Sequence, residues 1–356
     1  MISEQKKLGA IYCNNKAWEA FNEKLTSINP SKVFVIIDEN TKQFCLPILN
    51  SKLNKNIRLK ILEINAGEVH KNINTCVSLW NQLSDLGADR NSIILNLGGG
   101  VITDLGGFVA STFKRGLKFI NIPTTLLAMV DASVGGKNGI DLGVIKNQIG
   151  VINLPEMVLV DTLFLNTLPK EQITSGYAEM LKHGLIHSEK YWNQVKVFEV
   201  ANTDSTETLI WDSIQIKNEI VLKDPYEKNI RKTLNFGHTL GHAIESYCLD
   251  NKDKENLLHG EAIAIGMVLV AYISQKMISL SEKETSEISK TMTNFYTKVD
   301  FTPKDIDSII ELLKYDKKNS NGKVLFVLLS AIGSCKINQE VPNDLIFEAF
   351  EYYKNS

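Results

Sequence analysis

The chain has 356 residues, 44% of them apolar and 22% charged, with 39 Lys plus Arg against 41 Asp plus Glu. These proportions are those of a globular protein and exclude a disordered, collagen-like or low-complexity chain. At about 150 residues per domain the length predicts two domains, and the net charge of −2 gives no electrostatic reason to expect nucleic acid or an anionic membrane as partner.

The opening residues lack the apolar core of a signal peptide. Short apolar runs then alternate with helical stretches. Val33–Ile37 ends on Asp38, Ser92–Leu97 runs into Gly98, Gly99 and Gly100, Phe119–Ile122 ends at Pro123, Thr124 and Thr125, and Met157–Val160 ends on Asp161. Runs of four to six apolar residues suit strands buried on both faces of a parallel sheet. From about Pro169 the texture changes. Helical periodicity is predicted over 170–185, 207–223, 237–248, 258–277, 282–297 and 304–315, with strands at 324–329 and 334–338. The expected architecture is therefore an α/β domain with a mainly parallel, Rossmann-like sheet (1–169), followed by a mostly α-helical, metal-binding domain (170–356). The longest apolar run, Ala262–Ile273, is short for a bilayer and reads as a buried helix. The charged stretch 250–256 reads as an exposed loop. Five scattered cysteines without C-x-x-C point to a reducing compartment, hence a cytoplasmic protein.

Polar residues just past parallel strands are where open α/β sheets bind ligands. Asp38, with Asn40 two residues on, suits ribose hydroxyls, although an Asp there also suits a helix cap. Gly98–Gly100 lets the backbone approach a pyrophosphate at a helix N-terminus, or forms a tight strand-to-helix turn. It is not G-x-G-x-x-G, which disfavours an ordinary dinucleotide dehydrogenase. Thr124, Thr125 and Asp131, the loop Gly135-Gly136-Lys137, and Lys146-Asn147 place hydroxyls, glycines and two lysines at successive strand ends, a pattern that favours a phosphate-bearing ligand.

Three of the six histidines lie between 238 and 259. His238 and His242 share a helix face, and His259 opens another helical run. Either these three bind a metal, or a carboxylate replaces one of them. Glu179 is the best carboxylate candidate, with Lys182 one turn on; alternatively the two form an ordinary i,i+3 surface pair. His183, four residues after Glu179, competes as a ligand.

Together these motifs resemble the 3-dehydroquinate synthase family of sugar-phosphate cyclases, from about Asp38 to Gly333. The anchors are Ala66-Gly-Glu-Val-His-Lys71, Gly98-Gly-Gly-Val-Ile-Thr-Asp104, Arg115-Gly116, Pro123-Thr-Thr-Leu-Leu-Ala-Met-Val-Asp131, Gly135-Gly-Lys137, Lys146-Asn147, Phe164-Leu-Asn-Thr167, Gly176-Tyr-Ala-Glu-Met-Leu-Lys182, Asn235-Phe-Gly-His-Thr-Leu-Gly-His242 and His259-Gly-Glu261. The resemblance implies metal ligation by Glu179, His238 and His259, with His242 at the reacting substrate. The metal would be one Zn2+, with Co2+ equally suited to such ligands. It implies NAD at Asp38, Asn40, Ala66, Gly67, Glu68, Val69, His70, Lys71, the loop Gly98, Gly99, Gly100, Val101, Ile102, Thr103 and Asp104, then Thr124, Thr125, Lys137, Lys146 and the segment Phe164, Leu165, Asn166 and Thr167. Substrate contacts would come from Arg115, Asp131, Lys137, Asn147, Lys182, Lys217, Arg231, Asn235, His242 and a lysine of 317–318, taken as Lys318. Of these, Lys182, His242, Lys137, Asn147, Arg231 and Lys217 would serve catalysis. The implied activity is a lyase of the shikimate pathway: NAD-mediated oxidation of 3-deoxy-D-arabino-heptulosonate 7-phosphate, phosphate elimination, reduction, and aldol closure to 3-dehydroquinate, in a homodimer that needs neither nucleic acid nor membrane. The competing readings are a sister sugar-phosphate cyclase and a metal-dependent NAD polyol dehydrogenase. Two features depart from the family pattern. Thr103 stands where Gly is usual, and the 250–256 loop lengthens the gap between His242 and His259.

Overall fold

The computed structural model describes residues 2–3, 10–143, 145–197, 203–313 and 324–356. They form two compact units, Met1–Ile173 and Thr174–Ser356, so the division falls four residues beyond the expected 169.

The first unit runs β1 (Ile2–Ser3), β2 (Ala10–Cys13), α1 (Asn14–Ile28), β3 (Val33–Asp38), α2 (Glu39–Phe44), α3 (Leu46–Lys52), β4 (Leu59–Ile64), α4 (Ile73–Asp85), β5 (Ile93–Gly98), α5 (Gly100–Thr112), β6 (Lys118–Pro123), β7 (Lys137–Leu142), β8 (Ile145–Ile152) and β9 (Met157–Val160). Seven strands form one sheet in the order β1-β2-β9-β6-β5-β3-β4. All neighbours are parallel except the pair β1 and β2. Central strands are apolar because both faces are covered: every residue of β5 is buried, and so are the first five of β3. Edge strand β4 buries only Leu62 and Ile64.

The strand order places a switch point in the sheet. From β3 the chain crosses outward to β4, then returns to the other side of β3 as β5 and continues to β6. The connections leaving β3 and β5 therefore diverge, opening a crevice at their carboxyl ends. Asp38 ends one strand and Gly98 ends the other.

One expectation needs correction. Lys137, Lys146 and Asn147 do not lie in loops at the ends of successive parallel strands; they belong to a separate antiparallel hairpin, β7–β8. Glycines make its close pairing feasible. Gly139 faces Gly150, and a Cβ on Gly150 would stand 2.5 Å from the Asn138 carbonyl oxygen.

The second unit contains α6 (Lys170–His187), whose first turn lies in the first unit, then α7 (Glu189–Val195), α8 (Thr203–Lys223), α9 (His238–Asp250), α10 (His259–Ile278), α11 (Glu282–Phe295), α12 (Pro303–Leu312), the antiparallel pair β10 (Leu325–Ala331) and β11 (Ser334–Glu340), and α13 (Asn343–Asn355). Of these, α7 and α13 were not expected. Helix α10 packs against α9, α11, α13 and β10. It is long and apolar enough to cross a bilayer, but 67% of its apolar window is buried inside the fold. The 250–256 loop is anchored, not simply bulged. Lys254 Nζ lies 2.8 Å from Asp305 Oδ2 and 2.8 Å from the Asp300 carbonyl, and it stands over the Phe301 ring.

Candidate functional site

In the first unit the crevice residues fall into three groups. At the end of β3, Asp38 caps α2: its Oδ1 accepts from Thr41 N at 2.7 Å while Thr41 Oγ1 accepts from Asp38 N. The cap uses one carboxylate oxygen, Oδ1. Asn40 is exposed in the same turn. Between β5 and α5, the glycine run keeps the helix N-terminus open. A Cβ on Gly99 would lie 2.9 Å from Thr125 Cγ2, and one on Gly100 would lie 3.4 Å from Ala132 Cβ. The first N–H groups of α5 have no partner within the helix, which suits a pyrophosphate. Thr124, also at a strand end, gives its N–H to the Gly98 carbonyl. Thr103 turns back onto its own helix. It is buried, and its hydroxyl bonds back to the carbonyls of Gly99 and Gly100 at 3.3 and 3.2 Å. Val101 is half-buried, and Ile102 is buried beneath Gly98.

The third group surrounds Lys71. Ala66 gives its N–H to Glu39, Gly67 turns the chain with φ of 109°, and the short 3-10 helix of Glu68, Val69 and His70 delivers Lys71 into the interior. Its ammonium lies 2.7 Å from both Asp104 Oδ2 and Asn147 Oδ1 and 3.8 Å from Glu68 Oε1. Lys146 is also 3.8 Å from that oxygen. Burial opposes a charge on Lys71, but Asp104 and Glu68 outweigh it and hold the ammonium above the usual lysine range. Asn147 has φ of 52°, and Asp141 Oδ1 accepts from its N–H. The hairpin thus presents Asn147 to Lys71.

The remaining first-unit candidates lie on other elements. Arg115 is exposed at φ of 71°, after Lys114 at 48°, an adjacent pair in a region costly for non-glycine residues. Asp131 sits in a π-helical turn, and Lys137 is exposed at the start of β7. Phe164 and Leu165 are buried, with Phe164 against Trp18. Their side chains serve packing, whereas Asn166 and Thr167 are exposed.

In the second unit the metal candidates converge. Gly237, at φ of 76°, starts α9. Close helix packing follows from missing side chains: a Cβ on Gly266 would lie 2.1 Å from the Gly237 carbonyl oxygen, and one on Gly260 would lie 2.0 Å from that of Ser175. These contacts draw α6, α9 and the start of α10 together. The ring nitrogens of His238, His242 and His259 lie within 4.8 Å of one another. Glu179, fully buried, has Oε1 at 3.4 Å from His238 Nε2 and 3.5 Å from His259 Nε2. His238 Nδ1 is 3.1 Å from the Phe236 carbonyl, and His259 Nδ1 is 3.4 Å from Glu245 Oε2. An Nδ1–H donated to such an acceptor leaves the Nε2 lone pair for a metal. Two imidazoles so oriented, facing one carboxylate oxygen, form a donor set that fits a divalent zinc-type ion. Without a metal, burial opposes a charge on His259, but Glu179 and Glu245 outweigh it and push its pKa up to about 10.

Lys182 and Glu179 are not a surface pair. Both are buried, and their ion pair joins Nζ to Oε2. His183 is buried with Nδ1 2.7 Å from Ser213 Oγ. Lys217 and Arg231 are buried as well. Arg231 gives Nη1–H to the Pro225 carbonyl and its backbone N–H to Asp224. Asn235 gives Nδ2–H to Glu227 Oε1 at 2.7 Å. Lys318, like Lys317, lies outside the described residues.

Four residues were missed from sequence: Asp141, Asp224, Glu227 and Glu245. Asp224 accepts the N–H groups of Lys228, Asn229 and Arg231. These bonds, together with Arg231, hold its carboxyl below the usual range although burial works the other way. The Asp224-Pro225 dipeptide is a turn signal that was there to find.

The family models of 3-dehydroquinate synthase match the chain at residues 61–175 for the N-terminal part and 176–319 for the C-terminal part. A 3-dehydroquinate synthase of Parabacteroides distasonis is 41% identical over 100% of this chain and 99% of its own length. One from Helicobacter pylori is 36% identical over 94% and 96%. Among solved structures, a 2-deoxy-scyllo-inosose synthase complexed with carbaglucose-6-phosphate, NAD+ and Co2+ has a TM-score of 0.84 at 26% identity, over 99% of this chain and 98% of that one. A 2-epi-5-epi-valiolone synthase of Streptomyces hygroscopicus, with NAD+ and Zn2+ bound, matches the fold with a TM-score of 0.84 at 23% identity, over 100% and 99%.

Proposed function

The chain belongs to the 3-dehydroquinate synthase family, and from that premise we propose that it converts 3-deoxy-D-arabino-heptulosonate 7-phosphate to 3-dehydroquinate and phosphate, as a carbon–oxygen lyase acting on a phosphate. The observation that carries the reading is Glu179 Oε1 facing two imidazoles, each anchored through Nδ1, in a chain matched over its whole length by a 3-dehydroquinate synthase. When bound, NAD supplies a hydride acceptor that is restored within the cycle, and a divalent metal acidifies the substrate alcohol.

The chain's own residues divide the remaining work. Glu179, His238 and His259 hold the metal, and Lys182 offsets the buried Glu179 charge. His242, one turn from His238, takes and returns a proton at a substrate hydroxyl. Lys217, Arg231, Asn235 and Lys182 bind the substrate's anionic and hydroxyl groups; the guanidinium fork suits a carboxylate or phosphate. In the first unit, Asp38 takes the ribose and the α5 N-terminus takes the pyrophosphate. Lys71 fixes Asp104 and Asn147; Arg115, Asp131, Lys137 and Asn147 serve the substrate, and Lys137 and Lys146 serve the cofactor. By the family resemblance, the substrate's own phosphate would serve as base for its elimination. We place the enzyme in the cytoplasm as a homodimer, the latter testable by light scattering.

The deciding experiment follows phosphate release from the heptulosonate phosphate, sedoheptulose 7-phosphate and glucose 6-phosphate, with and without chelator. Release from the first alone, abolished by chelator and without NADH build-up, is expected. Preference for a substrate lacking the carboxylate would make the chain a sister cyclase, and stoichiometric NADH would make it a polyol dehydrogenase.

A further inference from the structure

Glu245 lies seven residues after His238 on α9 and is 5% exposed. A buried carboxylate is costly unless the fold gives it a positive or hydrogen-bonding partner. Its Oε2 is 3.4 Å from His259 Nδ1, while Nε2 of the same ring is 3.5 Å from Glu179 Oε1. The His259 imidazole is therefore strung between two carboxylates, one at each nitrogen. His238 differs: its Nδ1 faces the neutral Phe236 carbonyl at 3.1 Å.

We infer that Glu245 is a positioning residue for the metal centre, orienting His259 through Nδ1 and strengthening it as a donor. The inference rests on the Glu179–His238–His259 ligand set proposed above and adds a fourth residue, which touches the metal only through His259. Two consequences follow from charge. An imidazole whose N–H is held by a carboxylate is a stronger donor than one held by a carbonyl, so His259 becomes the stronger of the two imidazole ligands. A divalent ion held by Glu179, with the Lys182 ammonium beside that carboxylate, leaves the centre positively charged, and Glu245 lowers that charge without occupying a coordination position.

The test uses the full-length chain, stripped and reloaded with zinc alone or cobalt alone. Glu245→Gln keeps the side-chain shape and an acceptor oxygen but removes the charge; Glu245→Ala removes both. Zinc affinity, measured by competition with a chromophoric chelator, should fall about 10- to 100-fold, more for Ala than for Gln. The visible absorption of the cobalt-loaded Gln variant should change, because its His259 donor has changed. NAD affinity and circular dichroism should match wild type. Wild-type zinc affinity and an unchanged cobalt spectrum in the Gln variant would overturn the inference, as would metal loss only in step with lost helicity. His259→Ala separates the two levels of reading. If that variant loses zinc while Glu245→Gln binds normally, the ligand set stands and the role of Glu245 falls. If wild type itself takes up no zinc, both fall.

Discussion

Replacing Gly260 by alanine sets helix propensity against packing, and the structure decides the sign. Within a helix, Ala is favoured over Gly by up to about 1 kcal/mol. Here the added Cβ would stand 2.0 Å from the Ser175 carbonyl oxygen and 2.6 Å from its Cα. Ordinary non-bonded contact begins near about 3.5 Å, so one backbone must retreat by more than an ångström. No flexible side chain can absorb the clash. Overpacking of this kind costs about 1–3 kcal/mol, and the 3.0 Å bond from Gly260 N to Ser175 Oγ would be lost for about 1 kcal/mol more. The net expectation is destabilisation by about 1–3 kcal/mol, read as a lower urea midpoint. The same movement has a functional consequence. His259 precedes Gly260, and Glu179 lies one turn past Ser175 on α6, so parting the backbones lengthens the 3.5 Å approach of His259 to Glu179. Zinc affinity by chelator competition should fall while NAD affinity holds. A Gly260→Ala chain with wild-type midpoint and wild-type zinc affinity would refute the packing argument.

His238→Ala and His259→Ala should each lose bound zinc and turnover. His242→Ala should keep stoichiometric zinc while phosphate release falls by roughly 10²- to 10⁴-fold, the usual contribution of a positioned proton-transfer group; metal analysis of the purified variants decides. Lys71→Ala should cost about 1–3 kcal/mol in denaturant titrations, because Asp104 and Asn147 both lose their bond to the buried ammonium. It should also weaken NAD by about tenfold or more in calorimetry, a loss of roughly 1.4 kcal/mol. Asp305→Asn should destabilise the chain by about 1–3 kcal/mol at neutral pH, through weaker charge-assisted bonds to Lys254 and Tyr247. Its pH dependence has a definite sign. Burial works the other way, but Lys254, Tyr247 and Thr302 hold the Asp305 carboxyl well below the usual range. Its contribution is therefore complete above the unfolded value of about 3.9 and disappears as pH falls from there through the folded value. The wild-type advantage over Asp305→Asn should shrink only below about pH 4, as followed by thermal melts.

The elements that sequence located best are those whose burial is nearly uniform. β3, β5, β6 and β9 are apolar runs because both faces are covered, and α10 is apolar because helices and β10 surround it. Elements with one wet face or a glycine-dependent geometry escaped. β4 is an edge strand with two buried residues. The β7–β8 hairpin carries lysines and glycines that resemble a loop until the Gly139–Gly150 pairing is seen. The same distinction applies to the metal centre. His238, His242 and His259 are local in sequence and stand beside glycines, so they can be noticed.

What holds those side chains in place is not local, and for that reason sequence reasoning passed over it. Glu245 meets His259 across fourteen residues of chain, including the entire 250–256 loop. Lys254 in turn ties that loop to Asp305 on α12. The extra length of the loop therefore need not disturb the centre, because its two ends are fixed independently: α9 against α10 through Gly237 and Gly266, and the start of α10 against Ser175 through Gly260. Asp224 does comparable work for Arg231, taking three backbone N–H groups that would otherwise leave the turn undefined. In the proposed role, in which the Arg231 guanidinium meets an anion in a fixed orientation, binding depends on that turn as much as on charge. In both cases the side chain proposed for the chemistry is a recognisable type at a recognisable spacing. The carboxylate that aims it is an ordinary Asp or Glu whose role is visible only once the fold has placed it within 3.5 Å of its partner.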